Sequence, residues 1–221
     1  MYRNRFERIL PWAGVLAGAC WLAQLFVGAV GRDDTPGGAE VDVLTANAML
    51  NIVHDGLLVL MAVAVVFFAA SVRAALRATE PAEASASSIA FGGWILVAAA
   101  LGQMAVSGFA LNAAAADGDA AATRTIGYLA YPGWLAMMVG LAVAYLAMGI
   151  GGLRGRAFPS WFAIVTLTLG CLTLLGAMHI PPGGLLNYVL LPFWFVAASI
   201  VISRAQRRED RRSAVVATVT D

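Results

Sequence analysis

Long stretches without charged residues alternate with short segments in which the charged residues of this chain are concentrated. No Asp, Glu, Lys or Arg occurs in residues 9–31, 84–116, 125–153 or 157–203, and the stretch 43–72 contains only Asp55. About 20 consecutive apolar residues form a helix long enough to cross a bilayer. The pattern therefore predicts an all-α fold, that of a polytopic integral membrane protein.

Helix-breaking residues divide the apolar stretches into six predicted membrane spans. The Pro-Pro-Gly-Gly segment at 181–184 interrupts the longest uncharged stretch, because two prolines cannot continue a helix and two glycines permit a tight reversal. Pro11 lies in the first turn of the first span, and Pro192 predicts a kink in the sixth. The single six-helix transmembrane domain (1–203) has spans at about 9–31, 47–72, 89–113, 127–153, 159–180 and 185–203, and a frayed, Arg-rich cytoplasmic tail (204–221) follows.

Composition excludes several classes of protein. Hydrophobic residues make up 61% of the 221 residues and charged residues only 12%, against roughly 45–50% and 25% in soluble domains. Both cysteines, Cys20 and Cys171, lie inside predicted spans, so a disulfide framework is not expected. A soluble enzyme, a disulfide scaffold and a nucleic-acid-binding protein are excluded.

The basic residues predict how the chain is oriented in the membrane. All fourteen are Arg, and if the N-terminus is cytoplasmic only Arg32 and Arg124 fall on the outer side. The positive-inside rule therefore places both termini in the cytoplasm. The absence of Lys, together with many Ala, Gly and Val residues, is typical of GC-rich bacterial genomes. We therefore expect a multi-pass protein of the bacterial inner (plasma) membrane.

The second predicted span carries a stripe of polar residues near its outer end. Asn51 and Asp55 are one helical turn apart, and His54 lies on the same side of the helix. A carboxyl group that faces lipid is costly, so Asp55 is expected to point into the bundle. It is a candidate proton donor, oriented by His54 or paired with His179 from the end of the fifth span.

Other polar and aromatic residues are also predicted near the outer surface, whereas the cytoplasmic halves of the spans are almost entirely apolar. This distribution predicts a ligand pocket in the outer leaflet, closed below by an apolar plug. Its expected ligand-binding residues are Asn51, Gln24, Gln103, Ser107, Tyr128, Tyr131, Trp134, Asn187 and Tyr188. The alternative interpretation is structural, since helix caps such as Asn47, interfacial residues such as Asn112 and an aromatic belt occupy the same depth.

A buried carboxylic acid among aromatic rings favours acid chemistry on an apolar ligand. Asp55 can protonate an alkene or an epoxide, and aromatic rings such as Trp21, Tyr131 and Trp194 can stabilise the resulting cation. In length, helix number and the presence of an acid among aromatic residues, the chain resembles the small integral-membrane terpene cyclases. That resemblance implies an acid-catalysed isomerase or cyclase acting on a lipid-like or isoprenoid ligand.

Two other functions fit the same residues. Asp55 and His54 are the residues expected to relay protons in a transporter or channel component. A non-catalytic accessory membrane subunit needs only packing faces and the Arg-rich tail.

The expected partners follow from this composition and from small-residue pairs. We expect contacts with membrane lipids and a hydrophobic small molecule, no nucleic acid, no bound metal and no cofactor; haem held by His54 and His179 is the alternative. Small-residue pairs permit close helix approach and predict a homo-oligomer through Gly14 and Gly18 or through Gly151 and Gly155.

Overall fold

The computed structural model describes residues 5–27, 41–130, 132–181 and 183–220. All regular secondary structure in these residues is helical, which confirms the predicted all-α fold. A 3₁₀ turn at Leu10–Trp12, which contains Pro11, separates the first two helices. The helices are α1 (Arg5–Ile9), α2 (Ala13–Val27), α3 (Val41–Ala46), α4 (Ala48–Arg77), α5 (Ala86–Ala116), α6 (Ala120–Ala130), α7 (Gly133–Gly155), α8 (Ser160–Ala177) and α9 (Gly183–Thr220).

Six helical segments of the described chain are long and apolar enough to cross a membrane, which matches the number of predicted spans. The first predicted span ends at residues 28–31, which lie outside the described residues. The six segments are Phe6–Val27, Ala48–Arg77, Ala86–Ala116, Ala120–Gly155, Ser160–Ala177 and Leu186–Arg207. The fourth of them comprises the two helices α6 and α7.

The long helices form a ring in which each one packs mainly against two others, and α4 also makes smaller contacts with α7 and α9. The helix α2 contacts α4 and α9, α5 contacts α4 and α7, and α8 contacts α7 and α9. Helices that are neighbours in the ring therefore follow one another along the chain, and α9 closes the ring on α2. The end at which α4, α7 and α9 begin is called the outer end below, in keeping with the predicted orientation.

The structure corrects the predicted fourth span. The sequence pattern predicts one helix over 127–153, but α6 ends at Ala130 and a separate helix, α7, begins at Gly133. Pro132 lies at the break as the N-cap of α7, and it has no backbone N–H with which to continue the hydrogen bonding of a helix that precedes it. The short helix α3, which lies in the outer loop before α4, is also absent from the sequence prediction.

The structure also corrects the C-terminal tail. Residues 204–220 were expected to be frayed, but α9 continues as a helix to Thr220. This segment contains no Gly or Pro and is rich in Arg and Ala, which favour helix.

Glycines let the backbones of neighbouring helices come close together. A methyl group on Gly93 would lie 2.6 Å from the Ala144 nitrogen, and one on Gly18 would lie 2.9 Å from the Pro192 carbonyl oxygen. Both glycines are therefore required where α5 meets α7 and where α2 meets α9.

The glycine pairs that suggested an oligomer contact helices of their own chain. Gly14 lies against Phe68, Gly151 against Ala86, and Gly155 against Thr79. A homo-oligomer through these residues stays a prediction.

Six aromatic side chains fill the middle of the ring; we call them the aromatic core. Trp194 is at its centre, with ring centroids 4.6 Å from Tyr145 and 5.4 Å from Trp94. The Trp194 indole N–H donates to the Thr166 hydroxyl at 3.0 Å. All six side chains are buried: Phe68, Trp94, Tyr145, Phe162, Trp194 and Phe195.

A proline inside α9 frees a backbone carbonyl that another helix then uses. Helix α9 continues through Pro192, which has no N–H to donate to the carbonyl of Tyr188 one turn earlier. The indole N–H of Trp21 on α2 donates to that carbonyl instead, at 2.9 Å. Pro192 thus creates an acceptor that fixes the position of Trp21.

This bond can be tested with Trp21→Phe, which removes the indole donor. We expect the free energy of unfolding in detergent to fall by about 1 kcal/mol for the lost hydrogen bond, in addition to the packing loss. In the Pro192→Ala background the new backbone N–H can satisfy the Tyr188 carbonyl, so Trp21→Phe should cost less there. An equal cost in both backgrounds would show that Trp21 contributes packing alone.

At the inner end, Glu80 ties the loop after α4 to the start of α5. Its carboxylate accepts hydrogen bonds from the Ser87 backbone N–H, at 3.1 Å, and from the Ser87 hydroxyl, and lies 3.8 Å from the Arg77 guanidinium. Burial opposes ionisation of Glu80. The Ser87 hydrogen bonds and the Arg77 charge outweigh this effect and lower the pKa of the Glu80 carboxyl.

The lowered pKa of Glu80 predicts a pH-dependent stability. A carboxyl whose pKa is lower in the folded chain stabilises the fold above its unfolded pKa, about 4.3, and this stabilisation is lost as the pH falls further. The difference in thermal stability between wild type and Glu80→Gln should therefore shrink between about pH 6 and about pH 3. Glu83→Gln, at an exposed position of the same loop, is the control; a difference that does not vary with pH would contradict the prediction.

Candidate functional site

Asp55 lies in α4, two turns from the outer end, and its side chain is fully buried. One carboxyl oxygen lies 3.3 Å from the Nδ1 atom of His54, and the other accepts a hydrogen bond from the Asn112 side-chain amide at 3.2 Å. Asn112 belongs to α5, so Asp55 links two neighbouring helices of the ring. The His54 side chain retains 11% exposure, whereas that of Asp55 is fully buried.

A glycine makes room for the Asp55 carboxyl group. A methyl group on Gly108 of α5 would overlap all three atoms of that group. Glycine inside a helix costs roughly 1 kcal/mol relative to alanine, and here it allows Asp55 to pack directly against the α5 backbone. The site is therefore built by Asp55, His54, Asn112 and Gly108.

Sequence reasoning did not assign Asn112 or Gly108 to the site. Asn112 is an interfacial residue in the structural alternative, and the sequence pattern assigns no role to Gly108. A signal was present, because Asn112 lies one turn after Gly108 on the same face of a helix. Which face of α5 meets α4 could not be read from that spacing.

Two short helices cover α5 at its outer end, close to this site. Leu44 of α3 packs against Leu111 and Ala115 of α5, and Ile126 of α6 packs against the same group. The Thr45 hydroxyl lies 3.3 Å from the Ala115 carbonyl oxygen. Asp119 caps α6 by accepting from the N–H groups of residues 121 and 122. These contacts place a small apolar cap beside Asn112.

A second group at the outer end consists of three aromatic residues from three helices; we call it the outer aromatic cluster. Trp21 of α2 stacks on Trp134 of α7 at a centroid distance of 5.8 Å, and Tyr188 of α9 lies 5.0 Å from Trp21. In the ring α2 and α7 are not neighbours. The cluster therefore extends across the interior of the bundle rather than along one interface.

Asp55 and the outer aromatic cluster lie on the same side of the aromatic core. Asp55 precedes Phe68 by thirteen residues in α4, a rise of roughly 20 Å. Trp21 follows Gly14, which packs against Phe68, by seven residues, a rise of roughly 10 Å.

The remaining predicted site residues divide into buried and exposed groups. Gln24, Asn51, Ser107 and Asn187 are buried, and Tyr188 and Trp134 join the outer aromatic cluster. Gln103 and Tyr128 are instead exposed; Gln103 lies on α5 and its side-chain amide donates to Ser107 at 3.1 Å. Tyr131 lies outside the described residues.

The pairing of Asp55 with His179 that the sequence suggested is not formed. His179 is exposed in the turn after α8, with a φ of 61°. This left-handed geometry is uncommon outside glycine, asparagine, aspartate and histidine. The other expected partner, His54, does contact Asp55, with 3.3 Å between its Nδ1 atom and a carboxyl oxygen.

The described residues contain no cluster of three or more His, Cys, Asp and Glu side chains suited to a metal ion. His54 is engaged with Asp55 and His179 lies in an exposed turn, an arrangement that lends no support to haem between them. The absence of a cofactor stays a prediction.

No protein-family model, curated protein or solved structure matches the chain significantly. The fold itself defines a six-helix bundle with helices of membrane-spanning length and composition. Its distinguishing feature is a buried carboxyl group at the α4–α5 interface.

The fit of Asp55 against α5 can be tested with a pair of glycine substitutions in that helix. Gly108→Ala should lower the thermal stability, because the added methyl group displaces the Asp55 carboxyl group from Asn112. Gly102→Ala is the matched control, since nothing lies within 4 Å of a methyl group there, and it should raise stability by up to about 1 kcal/mol. Equal effects of both substitutions in a detergent melting experiment would contradict this account.

Proposed function

We propose that the protein binds an apolar, isoprenoid-like molecule in the outer half of the ring and that Asp55 acts on it as a proton donor. The observation that carries the proposal is the buried Asp55 carboxyl group, held between α4 and α5 by Asn112 and bonded to His54. In the described membrane-length helices it is the one Asp, Glu or Arg residue that is buried. The other buried carboxylate side chain, that of Glu80, lies outside those helices, in the loop after α4. Burial of an ionisable group inside an apolar bundle is energetically unfavourable, so such a residue indicates a functional site.

The surroundings favour a neutral ligand. Arg124, the one Arg on the described outer segments, is exposed on α6, and no metal-binding cluster occurs in the described chain. A diphosphate group would require such cations. Protonation of an alkene or an epoxide needs only an acid, which Asp55 supplies.

Acid chemistry of this kind also requires that the cation it forms be stabilised, and the aromatic residues can provide this. Protonation of an alkene leaves a carbocation, which the faces of Trp and Tyr rings stabilise. The outer aromatic cluster offers Trp21, Trp134 and Tyr188 on the same side of the aromatic core as Asp55. His54, which is slightly exposed, is the group placed to return a proton to Asp55.

The aromatic core argues against the transport alternative. Its side chains fill the middle of the ring, and the most exposed of them, Trp194, is 4% exposed. A proton relay from Asp55 and His54 to the inner end would have to cross this layer. We therefore favour chemistry or binding confined to the outer half.

The direct experiment compares purified wild type with Asp55→Asn, which keeps the shape of the side chain but removes the acid. Each protein is incubated in detergent with a farnesyl-chain epoxide, and products are measured by gas chromatography with mass spectrometry. We expect ring-opened or cyclised product from wild type and a loss of about 100-fold or more in Asp55→Asn, the usual contribution of a general acid.

Asp117→Asn is the control, because Asp117 lies in an exposed loop and should leave turnover unchanged. Undiminished turnover in Asp55→Asn would eliminate Asp55 as the acid. A wild type that binds the epoxide without converting it would reduce the function to binding.

A further inference from the structure

One buried polar residue in the outer half, Asn187, has no hydrogen-bond partner for its side chain in the described chain. Asn187 in α9 is fully buried, and neither its side-chain oxygen nor its side-chain nitrogen has a hydrogen-bond partner. Asn187, Leu191 and Trp194 are spaced one turn apart and are all buried, so Asn187 lies on the interior face of α9.

The position of Asn187 connects it to the groups already described. It precedes Trp194 by seven residues, so it lies roughly 10 Å outward of the aromatic core. The next residue, Tyr188, belongs to the outer aromatic cluster and accepts the Trp21 hydrogen bond through its carbonyl group. Asn187 is therefore beside that cluster and on the same side of the core as Asp55.

Buried amides are almost always hydrogen-bonded, because an unpaired donor or acceptor in an apolar interior is unfavourable. The side-chain amide of Asn187 offers two donors and one carbonyl acceptor. A hydroxyl group both donates and accepts, so it is the simplest neutral group that can satisfy both atoms of the amide.

We propose that Asn187 binds the hydroxyl group of an apolar alcohol whose chain extends toward Asp55. This inference rests on the proposed function and names the class of its ligand, an isoprenoid-like alcohol. Asn187 then selects for the polar end of the ligand, and Asp55 acts at a separate position along the chain.

The test uses farnesol and its deoxy analogue, in which hydrogen replaces the hydroxyl group. Their Kd values are measured by titration of tryptophan fluorescence in purified, detergent-solubilised wild type and Asn187→Leu. We expect wild type to bind farnesol about tenfold more tightly than the analogue, the size expected for one or two buried hydrogen bonds. Asn187→Leu should bind both compounds equally, with the affinity that wild type shows for the analogue.

Thr173→Val is the matched control, since Thr173 is also buried in the outer half but its hydroxyl is satisfied by the Leu169 carbonyl of its own helix. It should keep the preference for farnesol. The comparison of farnesol with its analogue in wild type still tests the proposal if Asn187→Leu does not fold. Asn187→Ser is a second substitution, which places a smaller polar group at this position.

Equal binding of both compounds by wild type would overturn the role of Asn187 while leaving the proposed apolar site intact. A preference for farnesol that persists in Asn187→Leu would also overturn it. Binding of neither compound would reject the isoprenoid-like ligand class itself, and with it both proposals.

Discussion

An apolar bundle offers no water to its buried hydrogen-bonding groups, so a group left without a partner is costly. Asp55 finds Asn112, and the carbonyl that Pro192 leaves unpaired in α9 finds the indole of Trp21. These bonds join α4 to α5 and α2 to α9, two of the interfaces that close the ring. The polar groups of the outer half thus hold together the helices that surround them.

The need to pair buried polar groups also distinguishes the outer half of the bundle from the aromatic core. Around Trp194 the rings pack against one another, and the one polar group that Trp194 carries bonds to Thr166. Farther out, the carboxyl group of Asp55 and the amide of Asn187 lie on the same side of this apolar layer. The proposed acid chemistry is favoured in such an apolar setting, because water would compete for the proton and for any cation that forms.

Sequence patterns predicted the six long helices because uncharged runs of sufficient length are a local property of the chain. They did not predict the break at Pro132, because the apolar sequence continues through it although the helix does not. They also did not predict the helical tail, whose charged composition suggested fraying. The burial of Asp55 was predicted from its cost in lipid. Its partner was not, because the contact with Asn112 depends on how α4 and α5 meet, and no local pattern encodes that.

The most direct test of the central claim is an experimental density map of the protein extracted with its native lipids. The account predicts non-protein density in the outer half, adjoining Asp55 at one end and the amide of Asn187 at the other. An outer half in which protein side chains alone surround both residues would contradict it.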